Sequence, residues 1–239
     1  MTKEGNRARL IRALRRLDPD KERFLIKAKA EAEANGRRPD LLWRLLVGAM
    51  ATLGNALPWE RMFGPSGSYK EMSFEVLGGL SSAQRRKRLK EVLRRAKVRW
   101  PRKKAVWLDG NFQRIQALGG LRRANQQALA APDREAKMQF MKQFAGIGPK
   151  YARDVWMDIY DPSFRDTVAV DVRLKKITAA LGYSFPSSEY EEEERFFQEI
   201  AKKAGREPWE VDRLLHHFNK YFLGVISRKA AGGPTSRCN

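Results

Sequence analysis

The sequence has 239 residues, of which 42% are hydrophobic and 32% charged, and its formal net charge is +20. A single cysteine, Cys238, excludes an internal disulfide framework, a cysteine zinc site and an iron–sulfur cluster. No stretch approaches the roughly 18 apolar residues of a membrane span, and the first residues lack the apolar run of a secretory signal. We therefore expect an intracellular protein without a catalytic metal, and the basic excess predicts a polyanionic partner such as nucleic acid.

Apolar residues repeat at three- and four-residue spacing in several segments, and no segment alternates as a strand would. The clearest stripes lie within residues 41–49, 89–96 and 211–222, and we assign them to the core. Clusters of glycine and proline divide the chain into about ten or eleven helices, with Ser81, Asp133 and Ser187 as helix starts. The pattern predicts a compact all-α protein over residues 1–228, followed by a disordered tail at 229–239.

Residues 85–104 contain twelve lysines and arginines and one acid, Glu91. A solvated helix face or a nuclear-import-like tract would also have this composition. Beside the total charge of the chain we favour a surface that faces nucleic acid. Within the run we take Arg102, Lys103 and Lys104 as DNA-binding residues.

A glycine-bracketed turn, Gly146-Ile147-Gly148, lies between two helical segments and makes residues 134–160 a helix–hairpin–helix. Glycine permits positive φ and close approach, so amides at the start of the following helix can point towards a phosphate. We therefore assign Gly146, Ile147 and Gly148 to DNA binding. We expect no cofactor, while a monovalent cation at the hairpin is left open.

Lys150 follows the hairpin in the first helical turn, and Asp171 lies 21 residues later at the start of another helix. Uncharged lysine is a nucleophile, although most lysines are simply surface charges. Asp171 has the position of an N-cap, where the helix keeps a carboxylate ionised. Such an anion could also stabilise a developing sugar cation, so the two roles are compatible.

These residues resemble the helix–hairpin–helix DNA glycosylases, the superfamily of endonuclease III, the adenine glycosylase and the 8-oxoguanine glycosylases. The family signature is a Leu-Pro-Gly-Val-Gly-x-Lys-like hairpin followed by Val-Asp at a helix start. Here the corresponding residues are 144–150 and Val170-Asp171. The resemblance implies two helical subdomains with the active site in the cleft between them. The central subdomain would span about residues 70–170, and residues 1–69 with 171–228 would form the other.

By this resemblance Lys150 would attack the sugar C1′, expel the damaged base and form a Schiff base, and β-elimination would then nick the strand. Asp171 would assist the lysine and stabilise the cationic sugar. A lysine at this position marks the bifunctional members of the superfamily. The sequence lacks the cysteines that bind the iron–sulfur cluster in endonuclease III. In this it resembles the archaeal GO glycosylase, a compact 8-oxoguanine enzyme.

Three further segments are similar to that type: residues 58–64, with Trp59; Val170 to Arg173; and residues 211–216. The similarity implies a base pocket containing Trp59, Asp212 and His216, with Arg173 at the DNA. Asp154 and His216 stand where that type has aromatic stacking residues. We also assign Asp154 to the pocket, although it could instead pair with Lys150 as an i, i+4 neighbour. Leu53 and Asn55 are candidates to fill the gap that an extruded nucleotide leaves.

The sequence thus predicts a bifunctional DNA glycosylase and abasic-site lyase of base-excision repair, acting on an oxidised purine such as 8-oxoguanine. The expected partner is double-stranded DNA with a damaged base or abasic site, and we expect a monomer with no membrane association. Two alternatives remain open. One is a glycosylase for an oxidised pyrimidine, an alkylated base or a deaminated base; the other is a non-catalytic helix–hairpin–helix DNA-binding module.

Overall fold

The computed structural model describes residues 2–51, 57–186 and 190–227. Within these ranges the chain forms fourteen α-helices and two short 3-10 helices, with no strand, so the all-α prediction is confirmed. The helix number exceeds the predicted ten or eleven because helices of five to seven residues are too short to show a periodic pattern. The predictions for Leu53, Asn55, Ser187 and the tail at 229–239 lie outside the described residues.

The α-helices are numbered in chain order, and the 3-10 helices are Ser68–Met72 and Pro162–Phe164. Their bounds are α1 Lys3–Arg15, α2 Pro19–Gly36, α3 Leu41–Ala51, α4 Leu57–Phe63, α5 Phe74–Gly78, α6 Ser82–Arg95, α7 Pro101–Ala117, α8 Leu121–Leu129, α9 Arg134–Lys142, α10 Pro149–Met157, α11 Val172–Leu181, α12 Tyr190–Ala204, α13 Pro208–His217 and α14 Asn219–Ser227. No helix in the described ranges is both long and apolar enough to cross a membrane.

Contacts divide the chain into two units. Unit 1 joins the N-terminal residues up to Glu31 to the C-terminal part from Phe164 onward. In it α1 packs against α12 and α14, and α11 packs against α13 and α14. Its core contains the third predicted stripe, with Val211, Leu214, Leu215 and Phe222 all fully buried.

Unit 2 spans Ala32–Ser163 and contains the helix–hairpin–helix. Here α3 packs against α7, α8 and α10, and α6 packs along α7. The other two predicted stripes lie in this core, since Leu42, Leu46, Leu89 and Leu93 are all buried. Residues 32–69, which the sequence-based division grouped with the terminal subdomain, are therefore clustered with the hairpin by their contacts.

Side-chain caps begin several of these helices. Ser81 forms a capping box with Gln84 at α6, and Asp133 accepts from the Ala136 amide at α9. Both helix starts were predicted from the sequence. These caps fix the first residues of two helices of unit 2: the basic helix α6 and the first helix of the hairpin, α9.

Candidate active site

The hairpin between α9 and α10 requires glycine at its tip. Gly146 has φ of 84°, and a Cβ built there would lie 2.3 Å from Met50 Cε and 2.9 Å from Trp107 Cε3. A larger residue would therefore meet both an unfavourable backbone conformation and the side chains beneath the turn. The close approach seats the hairpin directly on α3 and α7.

A buried asparagine fastens the same hairpin from below. Asn111, in α7, donates from Nδ2 to the Ala145 carbonyl (3.0 Å), and its Oδ1 accepts from the Ala145 amide (2.7 Å). The two bonds fix both polar groups of one backbone unit. Asn111 was not singled out from the sequence, and its only signal there is a polar residue within the apolar face of a helix.

The three predicted hairpin residues have different environments. Gly146 and Gly148 are exposed, whereas the Ile147 side chain is buried and its amide donates to the Phe144 carbonyl at 3.2 Å. Ile147 therefore anchors the turn, and its assignment to DNA binding stays a prediction. Gly148 is the N-cap of α10, and the first bond within that helix joins the Ala152 amide to the Gly148 carbonyl. The amides of the turn before Ala152 thus lie at a helix N-terminus, the usual place for an anion.

Lys150 lies in this first turn with its side chain 54% exposed. The buried residues Ala152 and Val155 hold the opposite face of α10 against unit 2. Lys150 Nζ is 4.0 Å from Asp154 Oδ2, so the i, i+4 pairing considered from the sequence is present. This arrangement presents the amine to solvent beside one carboxylate.

Asp171 is the N-cap of α11, as its sequence position predicts. Its Oδ1 accepts from the backbone amides of Arg173 (2.8 Å) and Leu174 (3.1 Å). Both bonds join the side chain to the first turn of α11 and satisfy amides that have no partner within the helix. The side chain is about one-quarter exposed, so the other oxygen remains close to solvent.

Three side chains hold the extended segment that leads into Asp171. Its successive amides, of Val168, Ala169 and Val170, donate to Glu194 Oε1 (3.1 Å), Asp212 Oδ1 (2.9 Å) and Tyr190 Oη (3.0 Å). We call Glu194, Asp212 and Tyr190 the acceptor triad. It satisfies donors that a neighbouring strand would satisfy in a sheet, and so fixes the segment without one.

The acceptor triad changes the interpretation of Asp212. The residue was assigned to the base pocket, but it is only 5% exposed and accepts from the Ala169 backbone. Its observed contact therefore supports Asp171, while the pocket role stays a prediction. Glu194 and Tyr190 were not identified from the sequence. Glu194 occupies the helical face of Phe197 and Ala201, and an acid in such an apolar stripe was the available signal.

His216 and Arg173 lie beside Asp171 in unit 1. His216 Nε2 is 3.8 Å from Asp171 Oδ2, and Arg173 Nη1 donates to the His216 carbonyl at 3.1 Å. Asn219 donates to the Arg173 carbonyl at 3.0 Å and so connects α11 to α14. The structure thus groups three predicted site residues around one helix start.

The three basic residues predicted to bind DNA at the start of α7 differ in their exposure to solvent. Arg102 and Lys103 are exposed, but Lys104 is fully buried, with Nζ donating to the Met50 carbonyl at 2.6 Å. Burial, with a smaller effect from the nearby Arg99, lowers the pKa of Lys104 to about 8. The assignment of Lys104 to DNA binding is therefore wrong. Helical periodicity explains the error, because Lys104 shares the face of the buried Leu108 and Phe112.

Trp59, the remaining pocket candidate, lies in α4 with its indole 42% exposed. Its ring packs against Phe63 with the centroids 5.3 Å apart. Trp59, Asp154 and Lys150 belong to unit 2, whereas Asp171, Asp212 and His216 belong to unit 1. Each unit therefore supplies one of the two predicted catalytic groups.

The sequence matches no family model and no curated protein. Its structure is similar to that of the 8-oxoguanine DNA glycosylase of Methanocaldococcus jannaschii, with a TM-score of 0.65, 16% identity, and 87% of this chain and 94% of the other covered. The 8-oxoguanine DNA glycosylase of Thermotoga maritima gives a TM-score of 0.64 at 16% identity, over 95% of this chain and 100% of the other.

A second structure from Methanocaldococcus jannaschii is described as an 8-oxoguanine glycosylase/lyase in complex with a 15mer DNA containing 8-oxoguanine. It gives a TM-score of 0.63 at 15% identity and covers 84% of this chain and 91% of the other. Near-complete coverage at such low identity establishes a shared architecture. The chain therefore has the fold of the helix–hairpin–helix 8-oxoguanine DNA glycosylases, as the hairpin and Val-Asp motifs predicted.

Proposed function

We propose that this protein is a DNA glycosylase with abasic-site lyase activity that removes an oxidised purine, with 8-oxoguanine as the best candidate. The observation that carries the proposal is Lys150 in the first turn after the hairpin, on a fold otherwise found in 8-oxoguanine DNA glycosylases. The net charge of +20 supports DNA as the partner. The solved relatives support the substrate class by fold only.

In the proposed reaction the Lys150 amine in its uncharged form attacks C1′ of the damaged nucleotide. The bond from C1′ to the base breaks, and the base departs with the electron pair and takes up a proton. The C1′–O4′ bond then breaks as a proton passes from Nζ to O4′, which leaves an iminium between Nζ and C1′. Loss of a proton from C2′ then breaks the C3′–O bond and leaves the 3′ phosphate oxygen as the leaving group, so the strand is nicked without any external oxidant or reductant.

Asp171 would supply the negative charge that the cationic sugar needs. Its carboxylate caps the start of α11 through two backbone donors, so the position of this acidic group is fixed before the reaction begins. The acceptor triad fixes the backbone just before it. This support is the kind of preorganisation that electrostatic catalysis requires.

A non-catalytic DNA-binding module is the competing function, and one contact favours it. The ammonium of Lys150 lies 4.0 Å from Asp154 and is mostly exposed, as expected of a lysine that only touches phosphate. Such a module has no need of a carboxylate at Asp171, nor of three acceptors that fix the backbone segment leading into it. We therefore favour the enzyme.

Borohydride trapping tests the proposal directly. Reduction of the iminium links the protein to DNA, so wild-type protein should give a covalent adduct with a duplex that contains 8-oxoguanine. Lys150→Gln should abolish the adduct, whereas Lys202→Gln, which removes an exposed lysine from the far end of α12, should retain it. Asp171→Asn should lower the rate of trapping by roughly 100-fold or more, because one electrostatic group of this kind contributes about that much.

A lesion panel separates the alternatives. The panel should include duplexes with 8-oxoguanine, an oxidised pyrimidine, an alkylated purine, uracil and an abasic site. Adduct formation only on one of the other bases would replace the oxidised-purine assignment. No adduct on any duplex would refute the lyase mechanism and leave the binding module. An adduct that persists in Lys150→Gln would show that another amine, not Lys150, is the nucleophile.

A further inference from the structure

Trp100, at the turn between α6 and α7, has a large exposed ring on an unusual backbone. The residue is 56% exposed, and its φ of 55° and ψ of 52° lie in the left-handed region. A helix N-cap usually has an extended backbone and so does a residue before proline, yet Trp100 precedes Pro101 and is the N-cap of α7. It also forms no side-chain cap bond. Neither capping nor packing explains an exposed indole here.

The nearby left-handed residue Lys97 has an ordinary explanation, which sets Trp100 apart. Lys97 has φ of 61° and follows the end of α6. Its amide donates to the Arg94 carbonyl, and the Val98 amide donates to the Leu93 carbonyl at 2.9 Å, the bonding pattern of a common helix C-terminus. Trp100 has only the ordinary N-cap bond, in which its carbonyl accepts from the Lys104 amide at 3.1 Å. Residues in sparsely populated backbone conformations cluster at functional sites.

Two cations lie close to the indole, and one of them is the buried Lys104, whose Nζ is 6.0 Å from the ring centroid. Arg99 lies with its guanidinium carbon 4.9 Å from the ring centroid, and Lys97, Arg102 and Lys103 are exposed nearby in the chain. No acid occurs between Val92 and Leu108. Trp100 is therefore accompanied by four exposed cations, in a stretch of sequence that contains no carboxylate.

This surface is continuous with the hairpin within unit 2. Lys103 Nζ lies 4.8 Å from the ring centroid of Trp107, and Trp107 is the side chain that closes under Gly146. From Trp100 to Trp107 the helix rises about 10 Å, which corresponds to roughly three nucleotides of one strand. A strand whose phosphate lies at the hairpin could thus extend along α7 to Trp100.

We propose that Trp100 is a stacking platform for an unpaired base, and that Lys97, Arg99, Arg102 and Lys103 bind the adjoining phosphates of single-stranded DNA. An exposed ring flanked by cations is the arrangement that binds single strands without reading their sequence. Paired bases offer no face to such a ring, so the site selects unpaired DNA over duplex. The proposal goes beyond base excision and does not depend on Lys150.

Fluorescence anisotropy with lesion-free oligonucleotides tests the site. The full-length wild type and its Trp100→Ala, Trp100→Phe and Trp100→Gly variants are titrated against a labelled single-stranded oligothymidine and a blunt duplex of equal length. Trp100→Ala and Trp100→Gly should weaken single-strand binding roughly tenfold, because one base–aromatic stack is lost. Trp100→Phe should lose less, and duplex affinity should stay within about twofold. Val106→Ala removes an equally exposed apolar side chain from the same helix and should change neither.

Trp100→Gly also guards against an effect of misfolding. Glycine adopts the left-handed conformation freely, so its melting temperature should be no lower than that of the wild type even though its single-strand affinity falls. Three outcomes would overturn the proposal: unchanged single-strand affinity in both Trp100→Ala and Trp100→Gly, an equal loss on duplex, or tighter binding of single-stranded RNA of matching sequence. If the Trp100 variants lose binding to anionic lipid vesicles while their DNA binding is intact, the ring contacts a membrane instead.

Because the oligonucleotides contain no lesion, the result is independent of base excision. Failure of borohydride trapping with retained Trp100-dependent single-strand binding would reject the proposed enzyme alone. Normal trapping with unchanged single-strand binding in the Trp100 variants would reject the stacking platform alone.

Discussion

At the scale of single residues, Lys104 shows how helical register decides what a basic residue does. It belongs to the most basic stretch of the chain, yet its ammonium is buried and donates to the Met50 carbonyl at 2.6 Å. Burial of a cation is unfavourable unless it is compensated, and one carbonyl compensates only in part. The lowered pKa of Lys104, about 8, expresses this cost.

We expect this pKa to make stability depend on pH. Between pH 8 and 10.5 the unfolded chain keeps the Lys104 proton that the folded chain has lost, so the free energy of unfolding rises with pH. The contribution of Lys104 over that interval is up to about 3 kcal/mol, and below pH 8 its cost is constant. Urea unfolding from pH 7 to 10.5 measures it.

Lys104→Met is the reference for this prediction because it fills a similar space and does not titrate. Subtracting its urea-unfolding free energy at each pH from that of the wild type removes the contributions of the tyrosines and other lysines. The difference should rise towards pH 10.5 in favour of the wild type. A difference that does not vary with pH contradicts the assigned pKa of Lys104.

At the scale of elements, the hairpin depends on α7 as much as on its own glycines. Asn111 holds Ala145 by two bonds, and Met50 and Trp107 leave no room for a side chain at Gly146. The glycines and the helix–hairpin–helix layout could be recognised in the sequence because turn chemistry is local. Asn111 could not, since it lies 34 residues before its partner.

Asn111→Ala should loosen the hairpin while most of unit 2 stays folded. Ala145 is exposed, so water can replace part of the lost bonding, and we expect a destabilisation of about 1–2 kcal/mol. Amide hydrogen exchange of residues 143–148 should speed up, and affinity for duplex DNA should fall. Gln113→Ala, at an exposed position of the same helix, is the matched variant and should leave hairpin exchange unchanged. Equal exchange in both variants would show that Asn111 does not hold the turn.

At the scale of the whole molecule, the net charge of +20 predicts binding that weakens steeply with salt. Exposed cations contribute according to the phosphates they neutralise. The four near Trp100 alone imply a slope of about −3 for single-stranded DNA in a plot of log K against log salt concentration. Exposed and buried cations therefore have to be distinguished before charge is converted into affinity. Lys104 belongs to the second group.

The double variant Arg102→Gln/Lys103→Gln should make the salt slope shallower by about 1.4 for single-stranded DNA. Lys202→Gln/Lys203→Gln removes the same charge at the end of α12 and should shift affinity slightly without changing the slope. Anisotropy titrations at several salt concentrations give both slopes. If the two double variants have the same slope, the cations near Trp100 do not contact phosphate.

Prediction from the sequence succeeded where the governing interactions are local. The stripes of residues 41–49 and 211–222 identified core helices, and the position of Asp171 identified an N-cap. It failed where contacts join distant parts of the chain, as between Val168 and Glu194, which are 26 residues apart. The helical period alone could have placed Lys104 inside, but the charge of the surrounding run outweighed it.

The acceptor triad also determines when the segment before Asp171 can become ordered during translation. Its members follow the amides that they accept from by 20, 26 and 43 residues in the chain, for Val170, Val168 and Ala169 respectively. During synthesis the hairpin and Lys150 are complete before α12 and α13 have been made, and α1 acquires its partners α12 and α14 only at the end. A nascent chain can thus present Lys150 before the acceptor triad fixes the segment that leads into Asp171. Under the proposed mechanism, the protein therefore reaches full activity only after its last helices have been synthesised.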